Sequence, residues 1–162
     1  MTTEKTLVLI KPDGIQRGLV GEILSRFEKV GLKIVGMKML SINCNFAERH
    51  YYDVKERHGE KVLKGLTDYL CAGPVLAFVL EGINAIEVVR KMIGGTEPKS
   101  ALPGTIRGDY AHMNYARADS TERAVMNLVH ASANPKDAEH EIGLWFSDSE
   151  ILDYKTVHEK FM

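Results

Sequence analysis

The sequence predicts an α/β chain of the α+β kind: a ferredoxin-like βαββαβ sandwich, with a four-stranded antiparallel sheet and helices on one face. Three observations carry this. Short apolar runs of strand length end at glycine- or proline-containing turns. Stretches with apolar residues at helical spacing lie between them. The order is strand, helix, strand, helices, strand, helix, loop, strand, helix, with no repeat or linker, so residues 1–162 read as a single domain.

Taken in order, residues 6–10 (TLVLI) form a buried strand stopped by Lys11-Pro12-Asp13-Gly14. Residues 19–30 carry Leu19, Ile23, Leu24, Phe27 and Val30 at helical spacing, and Gly31 closes that helix. Residues 32–42 alternate as a second strand. Residues 46–55 and 61–70 read as two short helices broken near His58-Gly59. Gly73-Pro74 opens a third strand at residues 75–80, and Asn84 is a candidate cap for the helix holding Ile86, Val89, Arg90 and Ile93. Residues 94–109, with four glycines and two prolines, read as a loop. A helical stretch at 121–126 leads into a fourth strand at 127–131, and Pro135 suits the first turn of a last helix over 136–146.

The bulk properties narrow the function classes. With 44% hydrophobic and 27% charged residues, the composition is that of an ordinary globular protein. Lys and Arg number 21 against 22 Asp and Glu, a formal net charge of -1, so no specific nucleic-acid partner and no membrane surface is expected. Cys44 and Cys71 lack metal spacing and read as reduced thiols, with one disulfide as the alternative. A polar N-terminus and the lack of a long apolar run make the cytoplasm the expected location.

Familiar nucleotide signatures are missing: no Walker A sequence, no G-x-G-x-x-G and no protein-kinase set. Other features suggest anion chemistry. Arg107 lies in Pro103-Gly104-Thr105-Ile106-Arg107-Gly108-Asp109, where flanking glycines let a guanidinium approach a phosphate; a solvated turn arginine is the plain alternative. Lys11 ends a strand, and Arg90 and Thr96 bracket the glycine-rich turn. His130 ends an apolar run, with Ser132 two residues on and Glu141 on the last helix. A carboxylate on one imidazole nitrogen would leave the other free to attack, whereas a core histidine bonded to a carbonyl would do no chemistry. His58, His140 and His158 read as surface groups and Trp145 as core, while His50 could reach a pocket.

Together the motifs resemble one family. Lys11 to Gly14, Gln16 to Ile23, His50-Tyr51, Ala72-Gly73-Pro74, Pro103 to Asp109, Asn127 to Ser132 and Glu141 to Phe146 are similar, in order and over nearly the whole chain, to nucleoside diphosphate kinases. The resemblance implies ping-pong transfer of the terminal phosphoryl group from a nucleoside triphosphate, mainly ATP, to a nucleoside diphosphate through a phosphohistidine at His130. It implies that Lys11, Tyr51, Arg90, Thr96 and Arg107 surround the phosphates. Lys11 and Asn127 hold the ribose 3′-hydroxyl, and Ser132 and Glu141 support the imidazole. It implies Mg²⁺ carried on the nucleotide phosphates, no metal held by the protein itself, and a homo-oligomer, hexamer or tetramer. Rival readings are a nucleotide- or nucleic-acid-binding oligomer with vestigial transfer, and a phosphohistidine relay.

The chain departs from the family pattern in three places. Ala131-Ser132-Ala133 replaces the usual Gly-Ser-Asp. Extra residues, including His112 to Tyr115 and Arg117 to Asp119, lie between Arg107 and His130. Where the family commonly carries Pro-Phe-Phe after the position of Arg57, this chain has Lys61-Val62-Leu63, and Val62 cannot stack on a base.

Overall fold

The computed structural model describes residues 3–161. Strands β1 (Thr3–Ile10), β2 (Lys33–Leu40), β3 (Val75–Ile83) and β4 (Val129–Ala131) form one sheet in the order β2-β3-β1-β4. All three pairings are antiparallel, with a bulge between Ile34 and Gly36 on β2. The helices are α1 (Pro12–Gln16), α2 (Val20–Lys29), α3 (Cys44–His50), α4 (Val54–His58), α5 (Glu60–Leu70), α6 (Ala85–Ile93), α7 (Ile106–Tyr110), α8 (Tyr115–Ser120) and α9 (Pro135–Trp145). The four-stranded antiparallel sandwich is therefore the fold the sequence predicted.

One expectation is corrected: helices cover both faces of the sheet. Val8, Ile10, Phe78 and Leu80 pack against Ile23 and Phe27 of α2 and Ala85, Val89 and Ile93 of α6. Leu7, Leu9, Ala77 and Val79 pack on the other side against Ala47, Leu70 and Trp145, from α3, α5 and α9. Side chains alternate between faces along a strand, so a strand covered on both sides must be apolar at every position. That is why TLVLI shows no alternation: Leu7, Val8, Leu9 and Ile10 are all fully buried.

Other differences are local. The helix expected over 121–126 lies earlier, as α8, because the Asn114 side chain accepts the Arg117 amide at 2.7 Å and starts the helix there. Glu122, at φ +51°, then interrupts helical backbone. The fourth strand is shorter than expected because Leu128 sits at φ +70°, which no strand residue adopts. Residues 94–109 are not bare loop: they contain a turn of 3-10 helix at Pro98–Ser100 and the start of α7, capped by Thr105. The helix expected over 46–55 is split into α3 and α4 by Tyr51 to Asp53. Asn84 precedes α6 without a side-chain cap; the Ile86 amide donates instead to the Glu4 carboxylate, 3.3 Å away. Gly31 follows α2 at φ +86°, as expected of a closing glycine. Trp145 is core, and Cys44 and Cys71 are free thiols.

Candidate active site

The site gathers where β1 ends and β4 begins, beside α9. His130 pairs with Leu9 in the sheet, and its side chain keeps 21% of its surface exposed. Its Nε2 lies 2.8 Å from Glu141 Oε1. The other carboxylate oxygen accepts a 2.5 Å hydrogen bond from Ser132 Oγ, which itself accepts from the Leu7 amide at 3.2 Å. An ionised carboxylate only accepts, so Nε2 carries the proton and Nδ1 keeps a free lone pair. The chain from Ser132 through Glu141 to His130 thus fixes both the ring's tautomer and its orientation.

His50 adds a second imidazole. Its ring meets that of His130 edge-on, with centroids 4.5 Å apart. Trp145 Nε1 donates to His50 Nδ1 at 3.2 Å, so His50 carries its proton on Nε2. Burial, with His130 and Lys11 nearby, holds its pKa well below the usual histidine range. Neither His50 Nε2 nor the buried Tyr51 hydroxyl has a hydrogen-bond partner among the described residues. Burial, reinforced by the Glu141 charge, raises the Tyr51 pKa, so the phenol stays a neutral donor. The signal for His50 in the sequence is its position just before Tyr51.

The cations converge from three elements. Lys11 follows β1, is buried, and donates from Nζ to Asn127 Oδ1 at 2.8 Å. Burial, then the charge of Arg107, lowers its pKa to about 7 against the opposing pull of Asp13. Arg107 on α7 donates Nε to Asn127 O (3.2 Å), Nη1 to Gly94 O (2.9 Å) and Nη2 to Val129 O (2.7 Å). It therefore braces the chain on both sides of Leu128, a role the sequence did not suggest. A guanidinium has five N–H groups, so two remain for a ligand. Burial and the neighbouring Arg90 charge bring its pKa down to about 10. Arg90 is exposed on α6, and Thr96 accepts the Asn127 amide nitrogen on its carbonyl at 2.8 Å. Asn127 thus ties Lys11 to the Thr96 turn.

Other residues stand outside this cluster. Val62 stands 43% exposed on α5. Arg57 is exposed and paired with Asp53 at 3.0 Å. His58, His112, His140 and His158 are all exposed.

His50, His130 and Glu141 place possible ligand atoms within 4.8 Å of one another. They do not suit Mg²⁺, which takes six oxygens in octahedral array. Trp145 also keeps the free nitrogen of His50 protonated, a donor rather than a ligand.

A ring nitrogen freed for attack, on a segment held by a buried lysine and by an arginine that feels a second arginine's charge, belongs to a class of enzymes that transfer an anionic group through histidine. The comparisons make this specific. The nucleoside diphosphate kinase family matches residues 4–151. A nucleoside diphosphate kinase of Pyrococcus abyssi is 51% identical over 158 residues, covering 98% of this chain and 93% of its own. A solved transition-state mimic of the Borrelia burgdorferi enzyme, with bound vanadate and ADP, superposes with a TM-score of 0.94 at 48% identity, covering 97% and 95%. The Halobacterium salinarum enzyme in complex with CDP gives 0.85 at 37% identity, covering 99% and 98%. The chain belongs to the nucleoside diphosphate kinase family, and it is a phosphotransferase.

Proposed function

We propose that this chain moves the terminal phosphoryl group of a nucleoside triphosphate, mainly ATP, to a nucleoside diphosphate through His130. The observation that carries the reading is the Ser132–Glu141–His130 hydrogen-bond chain, which leaves Nδ1 as the attacking atom. In the first half-reaction the Nδ1 lone pair forms a bond to the terminal phosphorus, and the bond from phosphorus to the bridging oxygen breaks. The nucleoside diphosphate leaves with that electron pair. Positive charge that develops on the imidazole is met by Glu141 at Nε2. The second half-reaction is the reverse, with another diphosphate as acceptor.

Lys11, Arg90 and Arg107 neutralise phosphate oxygens, Tyr51 donates its hydroxyl, and Thr96 adds a contact at the glycine turn. Lys11 and Asn127 hold the ribose 3′-hydroxyl. Mg²⁺, carried on the nucleotide's phosphates as part of the substrate, would spread their charge. Vanadate with ADP, as held by the Borrelia relative, should bind here too.

The 1–162 chain acts as one kinase unit that assembles into a hexamer or tetramer in the cytoplasm. No helix among the described residues is long and apolar enough to cross a membrane. The near-neutral net charge of -1 supports nucleotide rather than nucleic-acid partners.

The test is a two-step labelling. Labelled ATP should place acid-labile, base-stable phosphate on the protein, and GDP should remove it as GTP. His130→Ala should bind nucleotide yet take no label. Label that is acid-stable, or that GDP cannot remove, would exclude this mechanism.

A further inference from the structure

Two further residues, Asp13 and Tyr69, meet at the segment that leads into β4. Asp13 stands in the first turn of α1, and Tyr69 stands near the end of α5, 94% buried. The Tyr69 hydroxyl donates to Asp13 Oδ1 at 2.6 Å and accepts the Asn127 backbone amide at 3.1 Å. Asp13 Oδ2 accepts the next amide, that of Leu128, at 3.2 Å. These bonds close a ring through Asp13, Tyr69, Asn127 and Leu128. The Lys11 ammonium lies 4.7 Å from the centroid of the Tyr69 ring.

The chain needs this support here. Leu128 holds φ at +70°, a conformation that residues with a Cβ seldom adopt and that persists only when the surroundings enforce it. Two positions later comes His130. The Asn127 side chain, on the same short segment, is the acceptor for Lys11.

We propose that Asp13 and Tyr69 act as one positioning unit, holding Asn127 and Leu128 in the bent conformation that sets both His130 and the Lys11–Asn127 pair against the reacting phosphate. The unit touches no substrate, and its role rests on the reading of His130 as nucleophile. Burial and the Asp13 charge raise the Tyr69 pKa, so the phenol remains protonated and able to donate to Asp13. Asp13 belongs to the Lys-Pro-Asp-Gly turn, but nothing in the sequence places Tyr69, 56 residues away, beside it.

Tyr69→Phe keeps the ring beneath Lys11 and removes the hydroxyl. Asp13→Asn keeps the shape and removes the charge. Single-turnover phosphorylation by ATP at saturating nucleotide should slow about tenfold in each variant, the scale of one lost charge-assisted hydrogen bond. KM for ATP should move far less than kcat. The double variant should be no slower than the slower single one, because both substitutions open the same ring. A filler of the core with no bearing on the reaction would shift the unfolding midpoint and leave this rate alone. A wild-type rate in folded Tyr69→Phe, a loss confined to KM, or additive losses in the double variant would overturn the proposal. His130→Ala in the same assay separates the two readings. If it takes no label while Tyr69→Phe is normal, only the positioning unit falls. If it still takes label, the nucleophile is another residue and both readings fall.

Discussion

Lys11 shows how burial brings a lysine's charge under the control of its surroundings. Its pKa near 7 means that the nucleotide-free protein loses this charge as pH rises through neutrality. Its ordinary value is 10.5, so between the two values the unfolded chain holds more protons, and this group makes stability increase with pH. An anionic phosphate beside it favours the charged form and raises the pKa again. Binding of a nucleoside diphosphate at about pH 8 should therefore take up protons. Calorimetry in buffers of different ionisation enthalpy measures this directly, and Lys11→Met should abolish the uptake. Wild-type protein without proton uptake would place Lys11 away from the phosphates. At this scale the sequence revealed residues whose neighbours are near in the chain or whose motif is distinctive. His130, Ser132 and Glu141 span only 12 positions. It did not reveal Tyr69, whose partners Asp13 and Asn127 lie 56 and 58 residues away. Nor did it show that Arg107 spends three donors on carbonyls, because backbone acceptors leave no trace in side-chain identity.

Among the elements, the long ones were legible and the short ones less so. The helix at α2 and the buried strands follow from periodicity and turn residues, which need many positions to register. Helix α8 has six residues and lies earlier than the pattern at 121–126 predicts, since its start depends on one asparagine cap. The segment that follows α8 packs beside α5: a Cβ on Gly65 would meet the Ala124 nitrogen at 3.6 Å, and Glu122 reaches Lys61 at 3.6 Å. Val62 is the neighbour of Lys61 and offers no π-face to a base. Stacking of a base on an aromatic side chain is worth about 1–3 kcal/mol. Val62→Phe should therefore lower KM for both purine and pyrimidine nucleotides with little change in kcat, the pattern of uniform binding. Unchanged KM would mean that the base lies elsewhere, with Tyr115 on α8 the first residue to replace.

Across the whole molecule, the sheet order explains why one fold can hold cations from so many segments. β1 lies between β3 and β4, so its end at Lys11 adjoins the approach to His130. The exposed apolar side chains include Leu102 at 73%, in the loop before α7, and Met37 and Met39 on edge strand β2. Exposed apolar side chains on an edge strand and at a loop tip both favour association. Sedimentation at micromolar concentration should show an assembly larger than a dimer, and Leu102→Glu should reduce it. Monomer alone in the wild type would contradict this.

The brevity of β4 has a dynamic consequence. Three residues make too short a ladder to hold a strand by themselves, and here the holding falls to Arg107, Ser132 and the amides bonded to Asp13 and Tyr69. Local opening of such a segment is set by those brackets and not by the global unfolding free energy. Hydrogen exchange should thus divide the sheet. Central amides of β1 and β3 should exchange only through whole-molecule unfolding, while those of Val129 to Ala131 exchange faster. Arg107→Ala should accelerate exchange in β4 far more than in β3. Nucleotide that engages Lys11 and Arg107 should slow it again, so the occupied enzyme would carry a quieter β4 than the empty one. Uniform protection across all four strands would show that the ladder suffices.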